Sequence, residues 1–137
     1  MDNELSLFAR GQWEEAYRYF GAHPAESGFV FRLWAPHARE VALCGDFSAW
    51  QPVPMLRCGG GIWETTVADA QVYQSYKYRV TGADGMVRWK ADPYAFHADT
   101  RPATNSKLYD IGDYAWGDDA WLARQTDEDA PLHIYEV

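Results

Sequence analysis

The sequence predicts an all-β protein: an immunoglobulin-like β-sandwich with a short N-terminal helical leader and an acidic C-terminal extension. Three observations carry that expectation. From Phe29 to Tyr109, short apolar runs alternate with polar residues and are parted by Gly and Pro, the pattern of several short strands in a sandwich. Ahead of them, from Leu5 to Phe20, apolar residues recur at three- and four-residue spacing, as on one helix face. After Asp110 the strand signals fade and acidic residues accumulate. The expected division is residues 1–21 for the leader, 22–110 for the sandwich and 111–137 for the extension.

Each element follows from its residues. In the leader, Gly11 divides two short helical pieces, and Phe8, Trp13, Ala16, Tyr17 and Phe20 form the apolar stripe. Pro24 is expected to end it, with His23 holding a turn. Phe29, Phe31 and Leu33 then alternate with Val30, Arg32 and Trp34 until Pro36 stops the strand. Val41 to Gly45 is a short strand, and so is Trp63 to Val67 after Gly59-Gly60-Gly61. Tyr76, Tyr78 and Val80 alternate with Lys77 and Arg79, which gives one dry and one wet face. Met86 to Lys90 follows across Ala83-Asp84-Gly85, and Lys107 to Tyr109 closes the series. Farther on, Asp118 is placed to cap a short helix through Trp121 and Leu122, and Thr126 to Asp129 is a polar, acidic linker.

Composition narrows the function. The 137 residues suffice for one ordinary domain with flanking segments. Seven Trp and nine Tyr exceed what a core of this size buries with every N–H and O–H satisfied, so some lie on a binding or contact face. The net charge of −8 is concentrated: residues 110–137 hold eight acids and one arginine, while the rest is nearly neutral. A nearly neutral body lacks the basic footprint that nucleic acid requires. Cys44 and Cys58 are expected to be reduced thiols, and without a secretory or membrane-length apolar run the expected location is cytoplasmic. The four histidines have no ligand spacing, so no metal site is expected. Catalysis is not expected either: Glu14-Glu15 and Asp118-Asp119 are adjacent acids that point apart on a helix, and no nucleophile elbow or phosphate loop occurs.

The most informative stretch is Gly45-Asp-Phe-Ser-Ala-Trp50. A strand feeds a glycine and a loop, which ends in a large aromatic and is broken by Pro52 and Pro54. That order lifts an indole off the end of a β-element into solvent. Indole faces suit the apolar C–H faces of pyranose rings, offering large rigid area at low entropic cost. The competing reading is a Trp folded back over the sandwich edge.

Trp89 also has two readings. A three-residue loop with left-handed Gly85 pairs Gly82 with Met86 and sets Arg79 opposite Trp89, on the wet face with Lys77. A two-residue turn would pair Val80 with Trp89 and bury the indole.

Collinear motifs span nearly the whole chain: YRYFGAHP from Tyr17, FRLWAPHA from Phe31, VALCGDFSAW from Val41, Gly61-Ile-Trp-Glu64, Tyr76-Lys-Tyr78, KADPYA from Lys90, Arg101-Pro102 and PLHIYEV from Pro131. In this order they resemble the amino-terminal part of bacterial 1,4-α-glucan branching enzymes, which carries a family 48 carbohydrate-binding module. Phe-Gly-Ala-His-Pro points to branching rather than debranching enzymes. Ile-Tyr-Glu-Val resembles the first strand of the family 13 catalytic barrel, whose carboxylates would lie outside this chain. One departure is Ser48, where the family usually has Asn.

The resemblance implies a non-catalytic domain without a cofactor. Its partners would be α-glucan (glycogen, maltooligosaccharide) and the catalytic barrel of the same polypeptide. It also implies a carbohydrate face of two Trp, a Lys and an Asn, which fall by position on Trp50, Lys77, Trp89 and Asn105. The other readings are a docking domain that braces the barrel with little sugar affinity, and the equivalent module of a debranching enzyme.

Overall fold

The computed structural model describes residues 2–112, 114–124, 131 and 133–136. The leader is helix α1 (Asp2–Ala9) and a 3-10 turn (Ala16–Arg18), separated by left-handed Gly11, as expected. Ten strands follow: β1 (Gly21–Pro24), β2 (Phe29–Trp34), β3 (Ala38–Gly45), β4 (Val53–Pro54), β5 (Leu56–Arg57), β6 (Ile62–Val67), β7 (Ser75–Gly82), β8 (Val87–Lys90), β9 (His97–Ala98) and β10 (Ser106–Lys107). A short helix, α2 (Asp119–Leu122), lies beyond them.

The strands form two antiparallel sheets. The smaller has the order β1-β2-β6-β5. The larger runs β4-β3-β7-β10-β9, with β8 also paired to β7. Phe29, Phe31, Leu33 and Trp63 from the first sheet meet Val41, Leu43, Tyr76 and Tyr78 from the second in one buried cluster, so the molecule is the expected β-sandwich. The period-two pattern is realised directly: Phe29, Phe31 and Leu33 point inward, while Trp34 is exposed. Four of the seven indoles stay outside the core, with Trp34, Trp89, Trp116 and Trp121 exposed.

The leader docks through a second cluster of Ala16, Phe20 and Ile62, flanked by Leu5, Phe8, Trp13, Tyr19 and Tyr94. Tyr17 departs from the expected stripe. It is exposed, because the 3-10 turn rotates it away from the face that Ala16 and Phe20 share, and its ring meets Phe96 edge-on. His23 and Pro24 also depart from expectation: they belong to β1, which pairs with β2. The His23 Nε2 lies 2.9 Å from the Phe20 carbonyl, so the imidazole braces the entry from leader to strand.

Strands β1, β4, β5 and β9 were not expected. Three of them are two residues long, too short to show alternation, and Pro54 in β4 lacks the N–H that would mark it as a strand former. Pro is tolerated there because β4 is an edge.

Below the larger sheet lies a closed polar centre. The Asp92 carboxylate accepts hydrogen bonds from Tyr76 Oη (2.7 Å), Tyr78 Oη (3.1 Å) and the Tyr94 amide (2.8 Å). Ser106 Oγ accepts from the Asp92 amide at 2.8 Å. Burial pushes the Asp92 carboxyl up, with the hydrogen bonds from Tyr76, Tyr94 and Tyr78 pulling the other way. Both phenols are pushed up by the same burial and by the neighbouring carboxylate. Every partner is satisfied, which is what allows a carboxyl to sit in a core.

Past β10, α2 begins at Asp118 as expected, although the Asp118 side chain makes no capping hydrogen bond. The expected linker at Thr126 to Asp129 lies outside the described residues. Among the described residues, no helix is long and apolar enough to cross a membrane. Cys44 is buried, Cys58 is exposed, and both are free thiols.

Candidate functional site on the outer face of the larger sheet

Strand β7 organises the site. Tyr76 and Tyr78 are buried in the sandwich, so Lys77 and Arg79 take the outer face. The connection to β8 is the three-residue loop: the Gly82 amide donates to the Met86 carbonyl at 3.0 Å and Gly85 is left-handed. Arg79 is therefore opposite Trp89, and the two share the outer face, where Trp89 is 50% exposed. On the other side of β7, Lys77 pairs with Cys44 and Arg79 with Ala42 of β3. Diagonal neighbours on such a pair are about 7 to 8 Å apart, so Lys77 and Trp89 are within reach of one ligand.

Cys44 is followed by Gly45 and the loop that carries Trp50. A Cβ at Gly45 would lie 2.6 Å from the Phe47 ring and 2.7 Å from the Ser75 carbonyl oxygen, so only glycine lets the chain pass so close to β7. The loop then makes a 3-10 turn over Asp46–Ser48, and Ala49 and Trp50 both adopt left-handed backbone, with φ of 48° and 61°. Non-glycine residues enter that region rarely, and here several bonds hold them. The Trp50 amide donates to the Gly45 carbonyl at 2.8 Å, and the Gln51 amide to the Ser48 carbonyl at 2.9 Å. Ser48 Oγ donates to the Gln51 carbonyl at 2.7 Å and accepts from the Gly45 amide at 3.4 Å. A hydroxyl thus braces the turn at the position where the resembling family usually places an amide.

Asp46 fixes the indole itself. Its Oδ1 accepts from Trp50 Nε1 at 2.9 Å and its Oδ2 from the Ser75 amide at 2.7 Å. The carboxylate ties loop, indole and strand β7 together. Trp50 is consequently half-buried rather than lifted clear of the surface. With its N–H consumed inside the loop, what the indole offers a ligand is ring surface.

Lys77 Nζ donates to Thr104 Oγ1 at 2.7 Å, which draws the segment before β10 beside β7. Asn105, next in sequence, does not meet Lys77. Its Nδ2 donates to Asp99 at 2.7 Å, and the Asp99 carboxylate also takes Lys107 Nζ at 2.9 Å and the Ser75 hydroxyl. The hydrogen bonds from Lys107 and Asn105 hold the Asp99 carboxyl below the usual range. Through Ser75, whose amide reaches Asp46, this network connects Asn105 to Trp50. The structure thus brings Lys77 and Trp89 onto one face, with the Trp50 loop leaving its end, and ties Asn105 in through Asp99. Asp46, Asp99 and Thr104 were not singled out from sequence. Asp46 had a usable signal, an acceptor directly after the glycine and four residues before the indole.

No group of His, Cys, Asp or Glu that could hold a metal ion occurs among the described residues. The face instead presents apolar ring surface beside hydrogen-bond donors, which suits a neutral polyol.

Comparison with known proteins agrees in kind. Residues 19–95 match the family model for carbohydrate-binding module 48 (isoamylase N-terminal domain), a span that includes Trp50, Lys77 and Trp89 but not Asn105. The chain is 39% identical over 145 residues to the 1,4-α-glucan branching enzyme GlgB of Synechococcus elongatus, with 99% of this chain and 19% of that protein covered. For GlgB of Fusobacterium nucleatum the identity is 40% over 139 residues, with 98% and 23% covered. The chain therefore spans about a fifth of the length of these relatives. Among solved structures, it superposes on a putative α-amylase from Salmonella typhimurium with a TM-score of 0.60 and 29% identity, covering 75% of this chain and 17% of that one. On a pullulanase from Paenibacillus barengoltzii, complexed with maltohexaose and α-cyclodextrin, the TM-score is 0.58 at 27% identity, with 76% and 18% covered.

Proposed function

Because this chain belongs to the carbohydrate-binding module 48 family, we propose that it is the non-catalytic α-glucan-binding domain of a 1,4-α-glucan branching enzyme. Trp50 and Trp89 stack on glucose rings of glycogen or a maltooligosaccharide. Lys77 donates hydrogen bonds to hydroxyls, and Asn105 completes the face with its remaining donor and acceptor capacity. The observation that carries this reading is Trp89, half-exposed and opposite Arg79 on the face it shares with Lys77. In the whole protein, a family 13 barrel would cleave an α-1,4 link and transfer the chain to a 6-hydroxyl in the cytoplasm, while this domain holds the polymer. Residues 1–21 would serve as leader, 22–110 as the module and 111–137 as the connection to the barrel.

Affinity electrophoresis in glycogen-containing gels tests the reading: retarded migration is expected, and migration equal to that in a glycogen-free gel would refute it. A finer check is Lys77→Ala. Its ammonium faces solvent and Thr104, so sugar binding should weaken by only about 0.5 to 1.5 kcal/mol, as measured by maltoheptaose titration.

A docking role is the second reading, favoured by a separate observation. Tyr114, Trp116, Trp121, Ile134 and Tyr135 are all strongly exposed, more apolar surface than a sugar face needs. Leu132, between them in sequence, lies outside the described residues. These residues would contact the barrel, in addition to the glucan site rather than in place of it.

A further inference from the structure

We propose that a third glucose ring is held in the groove beside Arg79, extending the face formed by the two indoles. This rests on the α-glucan reading above and adds a subsite to it.

The groove has a volume of about 320 Å³, and Ala42, Pro52, Pro54, Glu40, Arg79 and Thr81 are among the residues that line it. Two of its lining residues lead to the indoles, one along the chain and one across the sheet. Pro52 follows the Trp50 loop by two residues, and Arg79 is the cross-strand partner of Trp89. Its volume is at the lower end of the range for small-molecule clefts.

Its chemistry is what a pyranose ring requires. Ala42 and the two prolines offer apolar surface for the C–H face. At the polar positions, Arg79 brings five N–H donors, Glu40 is an acceptor, and the Thr81 hydroxyl both donates and accepts. Neither the Arg79 guanidinium nor the Glu40 carboxylate forms an ion pair or a hydrogen bond with any described residue, although cross-strand pairing places both on the same sheet. Arg79 is half-buried and its charge reaches the buried Cys44 thiol, partly offsetting the upward push of burial on that group. A guanidinium with no hydrogen-bond or ion-pair partner among the described residues, held along a groove of this kind, is poised for a ligand. The pairing of donor with acceptor also selects the ligand class. A neutral polyol uses both, because each hydroxyl donates and accepts, whereas an anionic substituent would meet Glu40 at close range. Arg79 is thus a specificity residue for chain length.

The test is titration of the 137-residue chain with maltose and with maltoheptaose, followed by tryptophan fluorescence, for wild type, Arg79→Met and Trp50→Ala. Methionine keeps the apolar stem and removes the donors. Arg79→Met should lower the preference for maltoheptaose over maltose by about 2- to 10-fold, the range for loss of one net hydrogen bond, with the maltose affinity kept. An unchanged preference, or equal loss for both sugars, alongside Trp50→Ala that binds more weakly, would overturn the third subsite and leave the α-glucan reading standing. Wild type that binds neither sugar would overturn both. Glu40→Gln and Thr81→Val read the same ratio should Arg79→Met fail to fold.

Discussion

Asp92→Ala should destabilise the fold by about 3 to 5 kcal/mol, close to what breaking a buried charge network costs. The substitution leaves the hydroxyls of Tyr76 and Tyr78 and the amide of Tyr94 without their acceptor. The loss has a pH signature. Burial raises the folded carboxyl above its ordinary value of about 3.9, so the folded state binds the proton more tightly than the unfolded chain does. The advantage of wild type over Asp92→Ala is therefore largest below that ordinary value. It shrinks as pH rises through the raised folded value and is level above it. Urea unfolding at a series of pH values measures both effects. A midpoint shift worth less than about 1 kcal/mol at every pH, or an advantage that grows with pH, would show that Asp92 does not hold the sandwich as described.

Trp50→Ala should weaken maltoheptaose binding by about 1 to 3 kcal/mol, by analogy with bases stacked on aromatic side chains. Because the indole is half-buried and bonded to Asp46, some folding stability goes with it, on the order of 1 kcal/mol for the lost hydrogen bond. Asp46→Ala separates the two contributions. It leaves the indole in place but removes its anchor and the tie to the Ser75 amide, so binding should fall while tryptophan fluorescence still responds to saturating sugar. Titration of both variants beside their thermal melts is the measurement. Normal sugar binding by Trp50→Ala, with a much lower melting temperature, would mean that the indole serves the fold and not the glucan.

The β-class of this protein was legible in residues such as Phe29, Phe31 and Leu33, because inward and outward positions alternate strictly along a strand. Gly85 narrowed the β7–β8 register without deciding it: a left-handed residue suits a three-residue loop, yet two-residue turns use one too, and it is the three-residue loop of the fold that sets Trp89 opposite Arg79. The leader's division at Gly11 and the aromatic end of the Gly45–Trp50 loop were visible for similarly local reasons.

Other features depended on partners distant in sequence. Strands β1, β4 and β5 exist through pairing with longer neighbours, and β9 through pairing with the equally short β10, and nothing in their own residues announces them. Tyr17 fits a helical stripe by spacing, yet a 3-10 turn follows a different period and exposes it. Asn105 had the right chemistry for a sugar contact, but its amide is bonded to Asp99 and joins Trp50 only through Ser75 and Asp46. Arg79 reads in sequence as an ordinary wet-face residue, and the groove beside it forms where β3, β4 and β7 meet. The sequence determined which side chains can reach the outer face, since alternation and turn chemistry act over a few residues. Which of them stay free to meet a ligand was decided by tertiary structure, because partners such as Asp46 for the Ser75 amide and Thr104 for Lys77 come from segments far apart in sequence.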